Sequence, residues 1–307
     1  MALLSEAATG VYIIAVTPFT EMGALDYESL DRVTDFYLQA GASGITVLGM
    51  MGEAPKLSAA ESLDVTRRVV ARAGKDVPVV VGVSSPGFAA MRELTAAVMD
   101  VGAAGVMVAP PGTLRSDDAI LGYYQMVAST LGEDVPLVLQ DFPLVTSVQI
   151  TPKVITQIVK AVPSCVMLKH EDWPGLAKIT ALRAAPDARR ISILAGNGGL
   201  FLPEELDRGA DGAMTGFAYP EMMVDVCKAH AAGDRERARD IFDAYLPLAR
   251  YEQQPGLGLA IRKHVLARRG AIASPALRQP SAKLSAADIA DIETLIARQE
   301  RRLGGLG

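Results

Sequence analysis

Short apolar runs rich in Val and Ile recur along the chain, separated by longer segments with helical spacing. The strand-like runs are Val11–Val16, Gly44–Leu48, Pro78–Gly82, Gly105–Ala109, Pro136–Gln140, Cys165–Lys169, Ile191–Ala195 and Gly212–Thr215. Between and after them, helices are expected over Tyr27–Ala40, Ser58–Ala73, Phe88–Val101, Asp117–Leu131, Thr151–Lys160, Gly175–Ala184, Leu202–Arg208 and Glu221–Ala231. The strand runs are continuously apolar, not alternating. Strands covered on both faces read that way, which predicts a parallel sheet wrapped by helices.

Repetition of the strand–helix unit predicts closure into an α/β barrel, the (β/α)8 TIM barrel. An open doubly wound sheet is the competing architecture, but it usually carries a Gly-rich dinucleotide fingerprint after its first strand. Here the first run ends in Thr17-Pro18-Phe19. Helix signals agree with the boundaries. Asp26 is placed to cap the first helix, Ser58 with Glu61 forms a capping-box pattern, and Gly41, Gly74 and Gly102 stand where helices stop. After the eighth unit, Arg235–Tyr251, Leu257–Arg269 and Ala286–Arg301 read as three extra helices. The division is therefore a barrel over 1–232 and a C-terminal helical region over 233–307, packed on the barrel.

Composition narrows the function. Half of the 307 residues are apolar, enough for a large core, and the formal net charge is −5. An acidic chain whose basic residues form only short pairs (Arg67-Arg68, Arg268-Arg269, Arg301-Arg302) argues against a nucleic-acid partner. Two cysteines, Cys165 and Cys227, cannot build a disulfide framework, and no Cys or His spacing resembles a zinc site, so no metal is expected. No apolar stretch approaches the ~18 residues of a membrane span, and the N-terminal residues lack the pattern of a secretory signal. A cytoplasmic protein with no membrane partner is the expectation.

In such barrels the chemistry sits at the C-terminal ends of the strands. Lys169 ends an otherwise apolar run. Burial favours a neutral amine, a nucleophile toward a carbonyl carbon; the alternative is a lysine that reaches solvent. With a period of two, Lys169 and Glu171 share the inner face and His170 points outward. Their pairing suits proton transfer next to an imine, or is a plain ion pair. The turns Gly49–Glu53 and Gly196–Gly199 offer backbone N–H groups to a substrate carboxylate. Met50 and Met51 read as apolar lining. Asn197 is either a left-handed turn residue or a polar site group.

These residues resemble the dihydrodipicolinate synthase / N-acetylneuraminate lyase family. The resemblance covers roughly Gly10 to Arg269. It is carried by Val16-Thr17-Pro18-Phe19, Gly49-x-x-Gly52-Glu53, Gly102-Ala103-x-Gly105, Pro143 and Lys169. It implies that Lys169 forms a covalent imine with a small-molecule 2-keto acid, without a separate cofactor. It also implies a homo-oligomer, a dimer of dimers.

Three features depart from that family. Met50 and Met51 replace the hydroxyl residues of its glycine turn. Gln140-Asp141-Phe142-Pro143 replaces a Tyr-Asn-x-Pro run. The loop after strand 4, Ala109–Thr113, lacks the tyrosine that synthases donate across a dimer. A glutamine amide cannot act as a base on a hydroxyl oxygen, so cleavage of a carbon–carbon bond is disfavoured and loss of water is favoured.

Lys169–Gly175 and Gly196–Phe201 resemble the 2-keto-3-deoxy-L-arabonate dehydratase branch, which implies Glu171 and Asn197 as acid/base and water-positioning groups. Gly49, Met50, Met51, Gln140 and Phe217 are the expected substrate contacts. A pyruvate-dependent aldolase or synthase, and a non-catalytic binding barrel, are the alternatives.

Overall fold

The computed structural model describes residues 2–173, 175–186 and 188–306. Pro174, inside the resembling stretch Lys169–Gly175, lies outside the described residues. Eight parallel strands close into a barrel in chain order. They are β1 (Gly10–Ile14), β2 (Gly44–Val47), β3 (Val79–Gly82), β4 (Gly105–Val108), β5 (Leu137–Asp141), β6 (Cys165–His170), β7 (Ser192–Ala195) and β8 (Gly212–Thr215). The outer helices are α1 (Tyr27–Gln39), α2 (Ala59–Ala73), α3 (Phe88–Asp100), α4 (Asp117–Leu131), α5 (Pro143–Thr146), α6 (Pro152–Ala161), α7 (Leu176–Ala184), α8 (Leu202–Asp207) and α9 (Pro220–Ala231). Three more follow: α10 (Arg235–Glu252), α11 (Gly258–Arg268) and α12 (Ala286–Gly304).

Local chemistry sets the helix starts. The Asp26 side chain accepts from the Ser29 amide, and Ser58 and Glu61 complete a reciprocal capping box. The differences from expectation are local. The first strand leaves the ladder at Ile14 instead of Val16, and β6 runs one residue further, through His170. The four-residue α5 is not marked by any apolar period; Pro143 starts it, where a missing N–H costs nothing.

Apolar side chains fill two layers. Inside the barrel, Tyr12, Ile14, Val80, Met107, Val138, Val166, Met167, Leu194 and Met214 form one cluster. The larger cluster lies between strands and helices. The register between β5 and β6 shifts at Leu137/Val138. Consistent with a bulge, Val166 and Met167 both join the inner cluster, while Cys165 and Leu168 join the outer one. Beyond that shift Gln140 pairs with Lys169. Among the described residues no helix is long and apolar enough to cross a membrane.

Candidate active site

Strand alternation sorts the side chains at the top of β5 and β6. Gln140 and Lys169 face inward, while Asp141 and His170 face the helices. Asp141 Oδ2 accepts from Lys178 Nζ on α7 at 2.7 Å, and His170 Nδ1 lies 3.1 Å from Glu205 Oε1 on α8. Burial pushes the Asp141 carboxyl up, and the Lys178 ammonium opposes that rise. These outer pairs fix the strand ends that present the inner groups.

The inner groups converge on a cavity of about 60 Å3 at the barrel mouth. Lys169 Nζ lies 2.9 Å from Glu171 Oε2, with both side chains almost fully buried. Gln140 Nε2 donates to the same oxygen at 2.7 Å. The carboxylate is therefore held from two sides. Asn197 Nδ2 donates to the Glu171 carbonyl at 2.8 Å. Asn197 also has φ 48°, in the left-handed region. A Cβ on Gly196 would fall 2.1 Å from Glu171 Cγ, so only glycine leaves room for that side chain.

Two further buried pairs brace the strand ends from α10 and α11. Lys263 Nζ donates to Glu53 Oε1 at 2.6 Å and to the Thr17 carbonyl at 2.7 Å, tying the Gly49–Glu53 turn to the segment that follows β1. Burial pushes the Lys263 amine down, against the pull of Glu53. Arg262 Nε donates to Glu252 Oε1 at 2.5 Å, and Glu252 Oε2 accepts from the Ala218 amide at 3.0 Å. Burial pushes the Glu252 carboxyl up, against its Arg262 partner.

Of the expected site residues, Lys169, Glu171, Asn197, Met50, Met51 and Gln140 all line the cavity. Gly49 is buried just below it; a Cβ there would meet Ile14 Cγ2 at 3.3 Å. Phe217 is a correction. It turns away from the mouth into the layer under α10, packed edge-on against Tyr245 at 6.2 Å and beside Tyr219 at 5.7 Å. The strand ends at Thr215, and the ring goes where apolar area is removed from water.

The turn Gly196–Gly199 is a second correction. The amides of Gly196, Gly198 and Gly199 donate to His170 O, Thr215 Oγ1 and Gly196 O, so that turn does not form an anion cradle. Sequence reasoning missed Ile14, Phe142, Thr215, Gln253 and Arg262, which also line the cavity. Among the described residues, no cluster of three or more His, Cys, Asp or Glu is placed to hold a metal ion.

The model of the dihydrodipicolinate synthetase family matches residues 7–299. The chain belongs to that family. Its relatives include a 4-hydroxy-tetrahydrodipicolinate synthase from Sorangium cellulosum, 32% identical over 244 residues, covering 78% of this chain and 79% of that protein. Another is an L-2-keto-3-deoxyarabonate dehydratase from Azospirillum brasilense, 29% identical over 283 residues, covering 90% and 89%. A crystal structure of a dihydrodipicolinate synthase from Rhodopseudomonas palustris superposes with a TM-score of 0.95. The two share 54% identity, with 97% of this chain and 100% of that one covered. Membership places the chain among aldolases and lyases built on this barrel.

Proposed function

We propose that the chain is a Schiff-base hydro-lyase that dehydrates a 2-keto-3-deoxy sugar acid, 2-keto-3-deoxy-L-arabonate, to 2-oxoglutarate semialdehyde. One observation carries this reading. Glu171 is the sole carboxylate among the described residues lining the cavity, and it sits 2.9 Å from Lys169 Nζ.

The chemistry follows from that placement. The Lys169 amine adds to the C2 carbonyl and expels water, leaving an iminium that acidifies the C3 protons. Glu171 takes a C3 proton, then returns it to the departing C4 hydroxyl, which leaves as water. The unsaturated iminium loses a C5 proton and regains one at C3, the resulting C4–C5 enol takes a proton at C4 as its hydroxyl gives one up to form the C5 aldehyde, and hydrolysis frees Lys169. The balance is one water lost. Gln140 holds the Glu171 carboxylate in place without exchanging a proton itself. The amides of Met50 and Met51, at the start of their turn and lacking helical partners by position, suit the substrate carboxylate. The Azospirillum brasilense relative is named for this activity.

Borohydride added with 2-keto-3-deoxy-L-arabonate is expected to trap an adduct on Lys169, located by mass spectrometry. The reading fails if no adduct forms, or if Lys169→Ala turns over fully. Glu171→Gln is expected to trap the adduct while turnover falls by about 10² to 10⁴.

The second reading is pyruvate-dependent condensation or cleavage, favoured by the synthase name of the Rhodopseudomonas palustris structure. It requires a base at a hydroxyl or aldehyde oxygen, a task the Gln140 amide cannot perform and one that would fall to Glu171 alone. Pyruvate, rather than semialdehyde, as the product from the same substrate would favour this reading over dehydration.

A further inference from the structure

Two nitrogen donors on the C-terminal helical region end at the same cavity without partners among the described residues. Arg262 is 2% exposed. Its Nε is spent on Glu252 and its Nη2 on the Gly216 carbonyl, while its Nη1 is buried with no hydrogen-bond partner among the described residues. Gln253 Nε2 is likewise buried and unpartnered. A buried donor left unpaired is costly, more so for a charged group, so two at one cavity call for an acceptor.

The backbone makes space for both. A Cβ on Gly216 would fall 2.2 Å from Arg262 Nη1, and one on Gly198 would fall 2.2 Å from Gln253 Nε2. Gly198, Gly216, Gln253 and Arg262 all line the cavity that holds Lys169 and Glu171.

We propose that Arg262 Nη1 and Gln253 Nε2 form the subsite that reads the uncharged, oxygen-bearing tail of the 2-keto acid. This rests on the reading of Lys169 as the imine lysine. Charge decides the tail's chemistry. Arg262 is matched by Glu252, and Lys169 by Glu171. Imine formation keeps the positive charge on the lysine nitrogen, so the α-carboxylate of the substrate already adds one negative charge. A second carboxylate on the tail would bring another into a small cavity whose cations are engaged, which is costly. A hydroxyl or aldehyde oxygen accepts from both donors and adds no charge. The selected class is monocarboxylic 2-keto acids with an oxygenated tail, and dicarboxylates are excluded.

Three five-carbon probes that cannot be dehydrated isolate binding from turnover: 5-hydroxy-2-oxopentanoate, 2-oxopentanoate and 2-oxoglutarate. Borohydride trapping on Lys169 is followed against probe concentration. The hydroxylated probe is expected to half-saturate at about tenfold lower concentration than the alkyl one, as one or two hydrogen bonds give. 2-Oxoglutarate is expected to need at least about tenfold more than the alkyl probe.

Arg262→Lys keeps a cation for Glu252 but removes Nη1. Gln253→Met leaves no charge stranded. Each is expected to erase the hydroxyl preference, read as the ratio of alkyl to hydroxylated half-saturation within the same variant. The subsite is overturned if the hydroxylated and alkyl probes trap alike in the parent protein. It is also overturned if either variant keeps the preference, or if 2-oxoglutarate traps as readily as the others. Those outcomes leave the Lys169 reading standing. Absence of an adduct with every probe removes both.

Discussion

Asn197 sits at φ 48°, a left-handed backbone that glycine tolerates better. Holding a non-glycine residue there costs about 1 kcal/mol. The return is its side-chain amide, which donates to the Glu171 carbonyl at 2.8 Å and borders the cavity. Stability and function therefore pull apart at this position. Asn197→Gly is expected to unfold at an equal or higher urea concentration than the parent. Its turnover of the 2-keto-3-deoxy acid is expected to fall by at least about tenfold, because Glu171 loses a support for its backbone. A variant that is both less stable and fully active would contradict this assignment.

At the scale of elements, the site is a ring of strand ends braced by two helices from far along the chain. The strand ends were legible in the sequence because alternation is a local property. Lys169 closes an apolar run, and a period of two places Glu171 beside it. The α10 and α11 contributions were not legible, because Gln253 and Arg262 reach the cavity only through the path of the folded chain. One signal was available. Arg262 and Lys263 interrupt the apolar run Leu259–Leu266, and both are buried in the structure. Adjacent cations inside an apolar helix demand buried partners. Phe217 failed for the converse reason: the sequence marks where β8 ends but not which way the chain turns afterwards.

The Lys263–Glu53 pair allows a test of how this bracing works. Both groups are almost fully buried, so removing the lysine strands Glu53 Oε1, while Oε2 keeps Lys56 Nζ at 2.9 Å and the Arg278 amide at 3.2 Å. Lys263→Met is expected to destabilise the fold by about 3 kcal/mol in urea unfolding. Adding Glu53→Gln to that variant is expected to recover a good part of the loss. A double variant no better than the single one would show that packing, not the buried charge, sets the cost.

For the whole molecule, the question is what holds the C-terminal region against the barrel, since it carries Gln253 and Arg262 to the cavity. Part of the answer is Arg278, in the irregular stretch between α11 and α12. Its guanidinium donates to Glu61 Oε1 at 2.7 Å and Oε2 at 2.8 Å, to the Gly23 carbonyl at 2.8 Å and to the Lys56 carbonyl at 2.9 Å. It also lies 4.5 Å from the centre of the Phe19 ring. The Arg278 guanidinium holds the Glu61 carboxyl down from its usual 4.5 to about 2. Because the folded value is the lower one, the unfolded chain takes up a proton first as pH falls. The stabilisation is therefore complete above about pH 5 and drains away as pH drops toward the folded value. Glu61 is half-exposed, so water screens the pair and about 1 kcal/mol is the expected size. Glu61→Gln keeps an acceptor for the Ser58 amide but loses the charge. Urea midpoints of parent and variant are expected to differ near neutral pH and to draw together progressively from about pH 5 toward about pH 2. A constant gap across that range would mean that Arg278 is held by its carbonyl contacts and the Phe19 ring, and that the strap works without its charge.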